Sequence, residues 1–545
     1  MTELLLGNEA VALAALHAGI RGAFSYPGTP ATEIFEFIQS RTRLDGSVAA
    51  AWSANEKVAY EEALGMSFAG RRGIVSMKHV GLNVAADPFM SSALTGARGG
   101  LVLAVADDPG MHSSQNEQDS RCLGDFAQIP IFEPSNQQEA YDMTRAAFDL
   151  SEQWETPIML RLVTRLAHSR AIVTAAPVSP LSPSGAAESE PDWRQWTLLP
   201  PNARRRYRRL LDLQATFLDY SRSCPYNRLE LKGPRGIIAC GIAHNYVREV
   251  IGEHSSYSLL KIACYPAPLP LIRELVDHCE EILVVEEGYP FIERLLHGLI
   301  GVPGKAIRGK KSGDFAPDGE MTADRVRAAL DRKRPGAPPP FEKALAALPT
   351  VPQRPPRLCD GCPHSDTFKA IMAAVEGEKS PHLMSDIGCY TLGALPPYNA
   401  VHTCVDMGAS ISMGHGAAKA GLWPVVCTIG DSTFLHSGMT GLVGAAHEDA
   451  DMTVVIMDNA SIAMTGGQDA MIAGDELINL VKGLGVSPEH VVKIDPSPRH
   501  HQENTGIIRR EIDHHGLSVV VACRPCIHTK RRTIRTANRT LEKCG

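Results

Sequence analysis

Gly430-Asp431-Ser432-Thr433-Phe434, followed about 28 residues after Asp431 by Asn459, is the stretch whose reading decides the fold of this chain. The run 423–429 ahead of it is apolar, of strand length, and ends at the glycine. A helix-length segment begins near Gly438, and a second apolar run, 452–457, leads into Asp458-Asn459. Strand, turn, helix and strand in that order predict a parallel crossover. Asp431 and Asn459 then stand at the carboxyl ends of neighbouring strands, where open parallel sheets take their ligands. A carboxylate and a side-chain amide are hard oxygen donors suited to Mg²⁺, an ion that shares its coordination with phosphate oxygens. An ordinary strand and turn in an α/β sheet would read the same way, so the rest of the chain has to separate the two.

A chain of 545 residues is too long for one core, and about three domains are expected. With 44% hydrophobic and 21% charged residues it is globular rather than disordered. The net charge of −7 gives no footprint for nucleic acid. No apolar run is long enough to span a bilayer, and the first seven residues lack the basic start of a secretion signal. A cytoplasmic protein without membrane contact is therefore expected. The 13 cysteines are odd in number and scattered, which favours metal or catalytic use over disulfides.

Residues 1–170 alternate helices with short apolar strands: a helix over 8–18, strands over 21–26, 73–77 and 101–105, and a last strand over 157–162. That alternation predicts an α/β domain with a doubly wound parallel sheet covered on both faces. Pro177, Pro180 and Pro183, among Ser, Ala and Glu, predict a linker over 171–235. It carries a strongly basic segment, 204–219, whose default reading is a solvated helix face, with docking on a partner subunit as the minority reading. A second α/β domain is expected over 236–330, with strands at 236–240, 259–264 and 281–286 and Glu286-Glu287 as a surface turn. A proline-rich linker over 331–357 precedes a third domain, 358–545, which holds the opening motif.

Two further patterns carry chemistry. Gly408 and Ser410, followed by Gly414 and Gly416, form a small-residue stretch opening a helix; the backbone there suits either a diphosphate or close helix packing. Cys359 and Cys362 have the spacing of a ligand pair. Cys389 stands at an expected strand end, and Cys526 follows the apolar run 517–522, with Cys523 as its rival. Four thiolates together suit an iron–sulfur cluster or tetrahedral zinc; plain buried cysteines are the bland reading.

The opening motif resembles that of thiamine diphosphate enzymes: Gly-Asp-Gly or Gly-Asp-Ser, about thirty residues, then Asn. The resemblance implies that Asp431 and Asn459 hold Mg²⁺ by side chains and Ser461 by its carbonyl. Gly430, Ser432, Gly408 and Ser410 would lie around the diphosphate. Longer runs extend the likeness over nearly the whole chain: YPGTP (26–30), WSANEK (52–57), MKHVGLNVAADP (77–88), ADDPGMHSSQNEQDSR (106–121), CDGCPH (359–364), DIGCYTLGALP (386–396), MGASISMGHG (407–416) and GDSTFLHSG (430–438). These resemble the α subunit of the indolepyruvate:ferredoxin oxidoreductases.

That family implies a pyrimidine-binding domain over 1–170, a transketolase C-terminal-like middle domain over 236–330 and a diphosphate-binding domain over 358–545. It implies oxidative decarboxylation of an arylpyruvate with coenzyme A, yielding an arylacetyl-CoA, CO2 and two low-potential electrons. Cofactor activation needs a carboxylate against the pyrimidine ring, and the resemblance assigns it to Glu56. By spacing alone Glu56 is a surface helix residue beside Lys57, with Asp45 and Glu61-Glu62 as rivals. Thr29 is the implied contact for the substrate carboxylate. His79 and Arg121 are weaker pocket candidates, and a buried, satisfied histidine is an equal reading of His79. Cys359, Cys362, Cys389 and Cys526 would ligate one [4Fe-4S] cluster. The implied partners are a smaller β subunit and ferredoxin or another electron carrier, in a homodimer of αβ units.

The family's α subunit continues into a ferredoxin domain with two Cys-x-x-Cys-x-x-Cys runs. No such run occurs here, and the sequence ends at Glu542-Lys543-Cys544-Gly545. Electrons are then expected to leave through a separate protein or directly from the proximal site. A non-oxidative thiamine diphosphate decarboxylase or lyase is the alternative function, and a silent scaffold subunit a third.

Overall fold

The computed structural model describes residues 2–44, 46–177, 193–253, 255–298, 301–331 and 356–529. Asp45, Cys544, Pro180 and Pro183 of the first expected linker, and nearly all of the proline-rich linker lie outside the described residues. The chain divides into two compact units, Met1–Pro349 and Thr350–Gly545.

In chain order the first unit contains β1 (Thr2–Leu6), β2 (Gly22–Ser25), β3 (Ala49–Trp52), β4 (Gly73–Lys78), β5 (Leu101–Asp107), β6 (Ile131–Phe132) and β7 (Ile158–Val163). Then follow β8 (Arg170–Thr174), β9 (Arg228–Glu230), β10 (Arg235–Cys240), β11 (Ser258–Ile262), β12 (Cys264–Tyr265), β13 (Glu281–Val285) and β14 (Ala306–Arg308). One sheet has the order β12-β6-β7-β5-β4-β2-β3 and a second the order β14-β13-β10-β11-β9. Strands β4, β5 and β7 are buried at every residue. That is why they read as unbroken apolar runs: helices cover both faces of a parallel sheet.

The sheets depart from the all-parallel expectation at their edges. β12 pairs antiparallel with β6, and β9 antiparallel with β11. Residues 259–264 read as one strand, yet the chain crosses from the second sheet to the first between Ile262 and Cys264. Nothing in an uninterrupted apolar run marks such a crossing. The strand over 157–162 is also not the last of its region, because β8 returns to pair antiparallel with β1.

The basic segment keeps a solvated face, with Arg204, Arg205 and Arg208 exposed, but its opposite face is buried. It lies in a helix, Pro200–Ser223, which buries Arg206, Leu210 and Phe217 against the same unit. Phe217 and Tyr220 pack on Trp154. Arg206 donates to the carbonyls of Leu94 (2.8 Å) and Thr95 (2.7 Å), which end the helix Ala86–Thr95. Arg209 donates to the carbonyl of Trp154 (2.8 Å), which ends Gln137–Trp154. Two arginines thus satisfy the orphan carbonyls, and oppose the negative ends, of two helices.

The second unit contains β15 (His382–Ser385), β16 (Thr403–Cys404), β17 (Val425–Gly430), β18 (Met452–Asp458), β19 (Ser461–Ile462), β20 (Gln468–Asp469), β21 (Val491–Ile494) and β22 (Leu517–Cys523). Six of them form a fully parallel sheet in the order β16-β15-β17-β18-β22-β21. From β15 the chain moves to one side and from β17 to the other. The loops leaving these adjacent strands therefore part at the carboxyl edge and open a crevice there. The helical turn after β17 starts at Asp431, earlier than Gly438, and passes through a π-helical turn, Phe434–Gly438, into Met439–His447. Among the described residues no helix is long and apolar enough to cross a membrane.

Candidate active site

The second-unit crevice is built by two strand ends. The parallel register sets Gly430 beside Met457, so Asp431 leaves β17 next to Asp458 and Asn459 leaving β18. Asp431 is only 3% exposed; it accepts the amides of Ser432 (2.6 Å) and Ala460 (2.8 Å). Asp458 accepts those of Ala460 (3.1 Å) and Gly474 (2.6 Å). Burial, and then the neighbouring Asp458, push Asp431 up to about 7. Two close carboxylates that form no ion pair with any described residue are a donor set a divalent cation fits. The buried Ser432 hydroxyl beside them has no hydrogen-bond partner.

Asn459 is fixed from behind. Its Nδ2 donates to His364 Nε2 (2.9 Å) and its Oδ1 accepts the Ser461 amide (2.9 Å). Burial, then the Arg524 charge, lowers His364 to about 4, so the ring is neutral and able to accept. Ser461 is buried, its hydroxyl donating to the Gln468 carbonyl (3.3 Å).

The helix Ala409–Lys419 starts beside this crevice, but its first amides are committed. Gly408 N donates to Asp386 Oδ1 (2.6 Å) and Ser410 N to Asp386 Oδ2 (3.0 Å). The anion at this helix end is the protein's own carboxylate, pushed up to about 6 by burial against the pull of those bonds. Both backbone amides read as diphosphate donors are thus engaged by Asp386, whereas the buried Ser410 hydroxyl has no hydrogen-bond partner. Gly408 has φ 98°, and a Cβ there would come within 2.6 Å of the Ser437 side chain, so only glycine fits.

The four cysteines singled out in the sequence lie within electrostatic reach of one another in this unit. Burial and then Cys362, Cys526 and Cys359 push the Cys389 thiol up to about 12, and Cys359 and Cys526 act on Cys362 in the same direction. Thiols within reach of one another are a donor type that a cationic cluster or metal suits. Among the described residues no three His, Cys, Asp or Glu side chains already stand at metal-ligating distances. Cys359 Sγ also lies 3.3 Å from His528 Nε2. The rival Cys523 is elsewhere: burial and Asp458 act on it. Three bonds tie the loops around these cysteines to their neighbours. Arg524 donates to Gly361 O (3.1 Å) and Asp366 (2.8 Å), and Cys526 N donates to Asn459 O (3.0 Å).

In the first unit the other candidates gather at the carboxyl edge of β2, β3 and β4. Glu56 opens the helix Glu56–Phe68 and is 5% exposed; Asn55 caps that helix by accepting the Val58 amide (2.9 Å). The surface reading of Glu56 is therefore corrected. Its carboxylate occupies the space a side chain at Gly81 would need, since a Cβ there would lie 2.6 Å from Glu56 Oε1. The rivals differ: Glu61 is exposed and pairs with Lys57, and Glu62 takes the Ser53 hydroxyl. Thr29 is half-buried in the turn after β2. His79 is buried, with Nε2 3.2 Å from Asn116 O and Nδ1 without a partner, so it is not a fully satisfied core histidine.

Arg121 is corrected. It is fully buried, and its guanidinium bonds to Asp119 (2.6 Å), Glu286 (3.1 Å), Tyr265 (3.3 Å) and the carbonyls of Glu287 (2.7 Å) and Tyr289 (3.2 Å). With Arg161, Asp107 and Glu133 it forms an ion cluster between the two sheets of this unit. A guanidinium so engaged has no face left for a substrate carboxylate. The Glu286-Glu287 pair, expected as a surface turn, is buried in the same cluster.

Residues 13–203 match the family model "Pyruvate flavodoxin/ferredoxin oxidoreductase, thiamine diP-bdg", and residues 386–519 match "Thiamine pyrophosphate enzyme, C-terminal TPP binding domain". An indolepyruvate oxidoreductase subunit IorA from Archaeoglobus fulgidus is 39% identical over 96% of this chain and 86% of its own length. The subunit of the same name from Methanothermobacter thermautotrophicus is 36% identical with the same coverage. The chain belongs to the indolepyruvate oxidoreductase subunit IorA family. In fold it is similar to a 2-oxoglutarate:ferredoxin oxidoreductase from Magnetococcus marinus, with a TM-score of 0.50, 16% identity, and coverage of 61% of this chain and 65% of that one. The protein is thus a thiamine-diphosphate-binding subunit of a multi-subunit 2-oxoacid oxidoreductase, and the non-oxidative alternative gains no support.

Reading the sequence passed over several residues of this IorA-family site. Lys78, Asp386 and His364 lie inside the quoted family runs and could have been picked up there. Asp458 stands beside Asn459 with a charge that spacing arguments ignored. Arg524 and His528 carried no signal, because their contacts with Gly361, Asp366 and Cys359 span more than 150 residues of sequence.

Proposed function

We propose that this chain is the thiamine-diphosphate- and cluster-bearing subunit of an arylpyruvate oxidoreductase acting with coenzyme A. The 2-oxoacid carboxylate leaves as CO2, the coenzyme A thiol loses its proton as its sulfur takes the acyl carbon, and two electrons and that one proton are released. The observation that carries this reading is the pairing of Asp431 with Asp458 and Asn459 on adjacent strand ends. Asp431, Asn459 and the Ser461 carbonyl would hold Mg²⁺, with Gly430 and Ser432 at the phosphates and His364 setting the Asn459 amide. Thiamine diphosphate, when bound, supplies the electron sink for decarboxylation. Glu56 would hold the proton that activates it, shielded from water by burial. Cys359, Cys362, Cys389 and Cys526 would ligate one [4Fe-4S] cluster, whose charge offsets the thiolates.

Assembly with a β subunit, pairing of αβ units, a cytoplasmic location and transfer to ferredoxin or another carrier belong to the same reading. The test is an anaerobic assay of the assembled complex with indolepyruvate or phenylpyruvate and a viologen dye. Dye reduction that requires coenzyme A is expected. Aldehyde release without dye reduction would overturn it in favour of a lyase. Iron and sulfide near four each per chain are expected for the cluster; zinc without sulfide would reject it. Asp431→Ala is expected to abolish Mg²⁺ and thiamine diphosphate binding by titration.

A further inference from the structure

The first unit holds a buried ammonium group without an ion-pair partner among the described residues. Lys78 ends β4, is 8% exposed, and donates one hydrogen bond, to Ser113 O (2.7 Å). Among the described residues no carboxylate forms an ion pair with it. Asp108, which acts on it electrostatically, is already taken by Ser113 N (2.9 Å), Ser114 Oγ (2.6 Å) and Thr164 Oγ1 (2.7 Å). Glu56 acts on it electrostatically as well. Burial lowers Lys78 to about 8 against the opposing pull of both acids, so its charge is only partly compensated. A buried charge without a hydrogen-bonded counterion is costly, and such a group normally marks the place of a ligand.

Two more polar atoms without a partner stand in the same place. The Thr29 hydroxyl makes no hydrogen bond among the described residues, and the buried His79 Nδ1 has no partner. The turn carrying Thr29 rests on Lys78: a Cβ at Gly28 would lie 3.3 Å from Lys78 Cβ. Ser113, which takes the Lys78 bond, also approaches the Thr29 carbonyl at 3.4 Å. These groups lie at the ends of adjacent strands β2 and β4, the edge that also carries Glu56. Arg121, another cation of this unit, is consumed within the protein.

We infer that Lys78 receives the carboxylate of the 2-oxoacid, with the Thr29 hydroxyl as its second donor. The assignment rests on the proposed arylpyruvate reaction and deepens it. A carboxylate held by an ammonium and a hydroxyl is fixed before it is lost as CO2, and the aryl group is left to the rest of the pocket.

The test uses the assembled, thiamine-diphosphate-loaded complex and phenyllactate, a carboxylate analogue that has no oxo group to react. In Lys78→Met, phenyllactate Kd and phenylpyruvate KM are both expected to rise by roughly ten- to a hundredfold, the loss of a charged hydrogen bond. Thiamine diphosphate affinity should be unchanged. The melting temperature should not fall, because an unpaired buried charge is removed. Thr29→Val should weaken phenyllactate in the same direction by less. Where Lys78→Met does not assemble, Lys78→Gln carries the same readings. Unchanged phenyllactate affinity in the lysine variant overturns the assignment, and so does lost thiamine diphosphate binding. A fall in kcat at constant phenyllactate Kd also overturns it, since Lys78 would then act on Glu56. A wild-type complex that binds neither phenylpyruvate nor phenyllactate would instead reject the arylpyruvate reading itself.

Discussion

Gly81 is glycine because Glu56 lies where its side chain would be. That single contact explains why a glycine in the run 77–88 accompanies a glutamate in the run 52–57. Gly81→Ala is expected to displace the Glu56 carboxylate and lower turnover by at least tenfold, with thiamine diphosphate affinity little changed. Glu56→Gln should keep the geometry and lower kcat by roughly 10²–10⁴, the usual loss for a proton-transfer group. Steady-state kinetics of both variants beside a cofactor titration checks the pair; full activity in either removes Glu56 from its role. His364 shows the same logic from behind, holding the Asn459 amide with a ring that burial keeps neutral.

At the scale of elements, the helix Pro200–Ser223 changes how the first unit is understood. Its composition reads as a solvated charge run, because Arg204, Arg205, Arg206, Arg208 and Arg209 follow one another closely. The structure sorts them: Arg206 is buried against the carbonyls of Leu94 and Thr95, while its neighbours Arg205 and Arg208 face solvent. A solvated reading predicts no effect of truncation. Arg206→Ala is instead expected to destabilise the first unit by roughly 1–3 kcal/mol, since it strips buried carbonyls of their donors. Arg205→Ala should change stability by less than about 0.5 kcal/mol. Thermal unfolding of the two variants side by side decides it; equal melting temperatures would restore the solvated helix. The π-helical turn after Asp431 is another element-level device, of a kind often found at functional sites.

Across the whole molecule, the ion cluster of Arg121, Arg161, Asp107, Asp119, Glu133 and Glu286 joins the two sheets of the first unit. Burial would raise Asp119, but Arg121 and Arg161 outweigh it and hold the carboxyl at about 2. A carboxyl depressed in the fold stabilises it fully above its ordinary pKa near 4, and that contribution is lost as pH falls toward 2. Arg121→Leu leaves its acidic partners buried and unpaired, and should cost roughly 3–5 kcal/mol. Acid unfolding of the variant should begin at a higher pH than in the wild type. Circular dichroism against pH checks both; an unshifted transition would return Arg121 to the list of substrate contacts. The sequence by itself determined the alternation of strands and helices, the parallel crossover at Asp431 and Asn459, and the family, because those rest on local periodicity and on residue types at short spacing. Only the tertiary structure decided that Arg121 is consumed, that Asp386 fills the helix end at Gly408, and that residues 259–264 split between two sheets. Each of those depends on which partner, tens or hundreds of residues away, comes to satisfy a buried charge or an open strand edge, and local sequence carries no record of that choice.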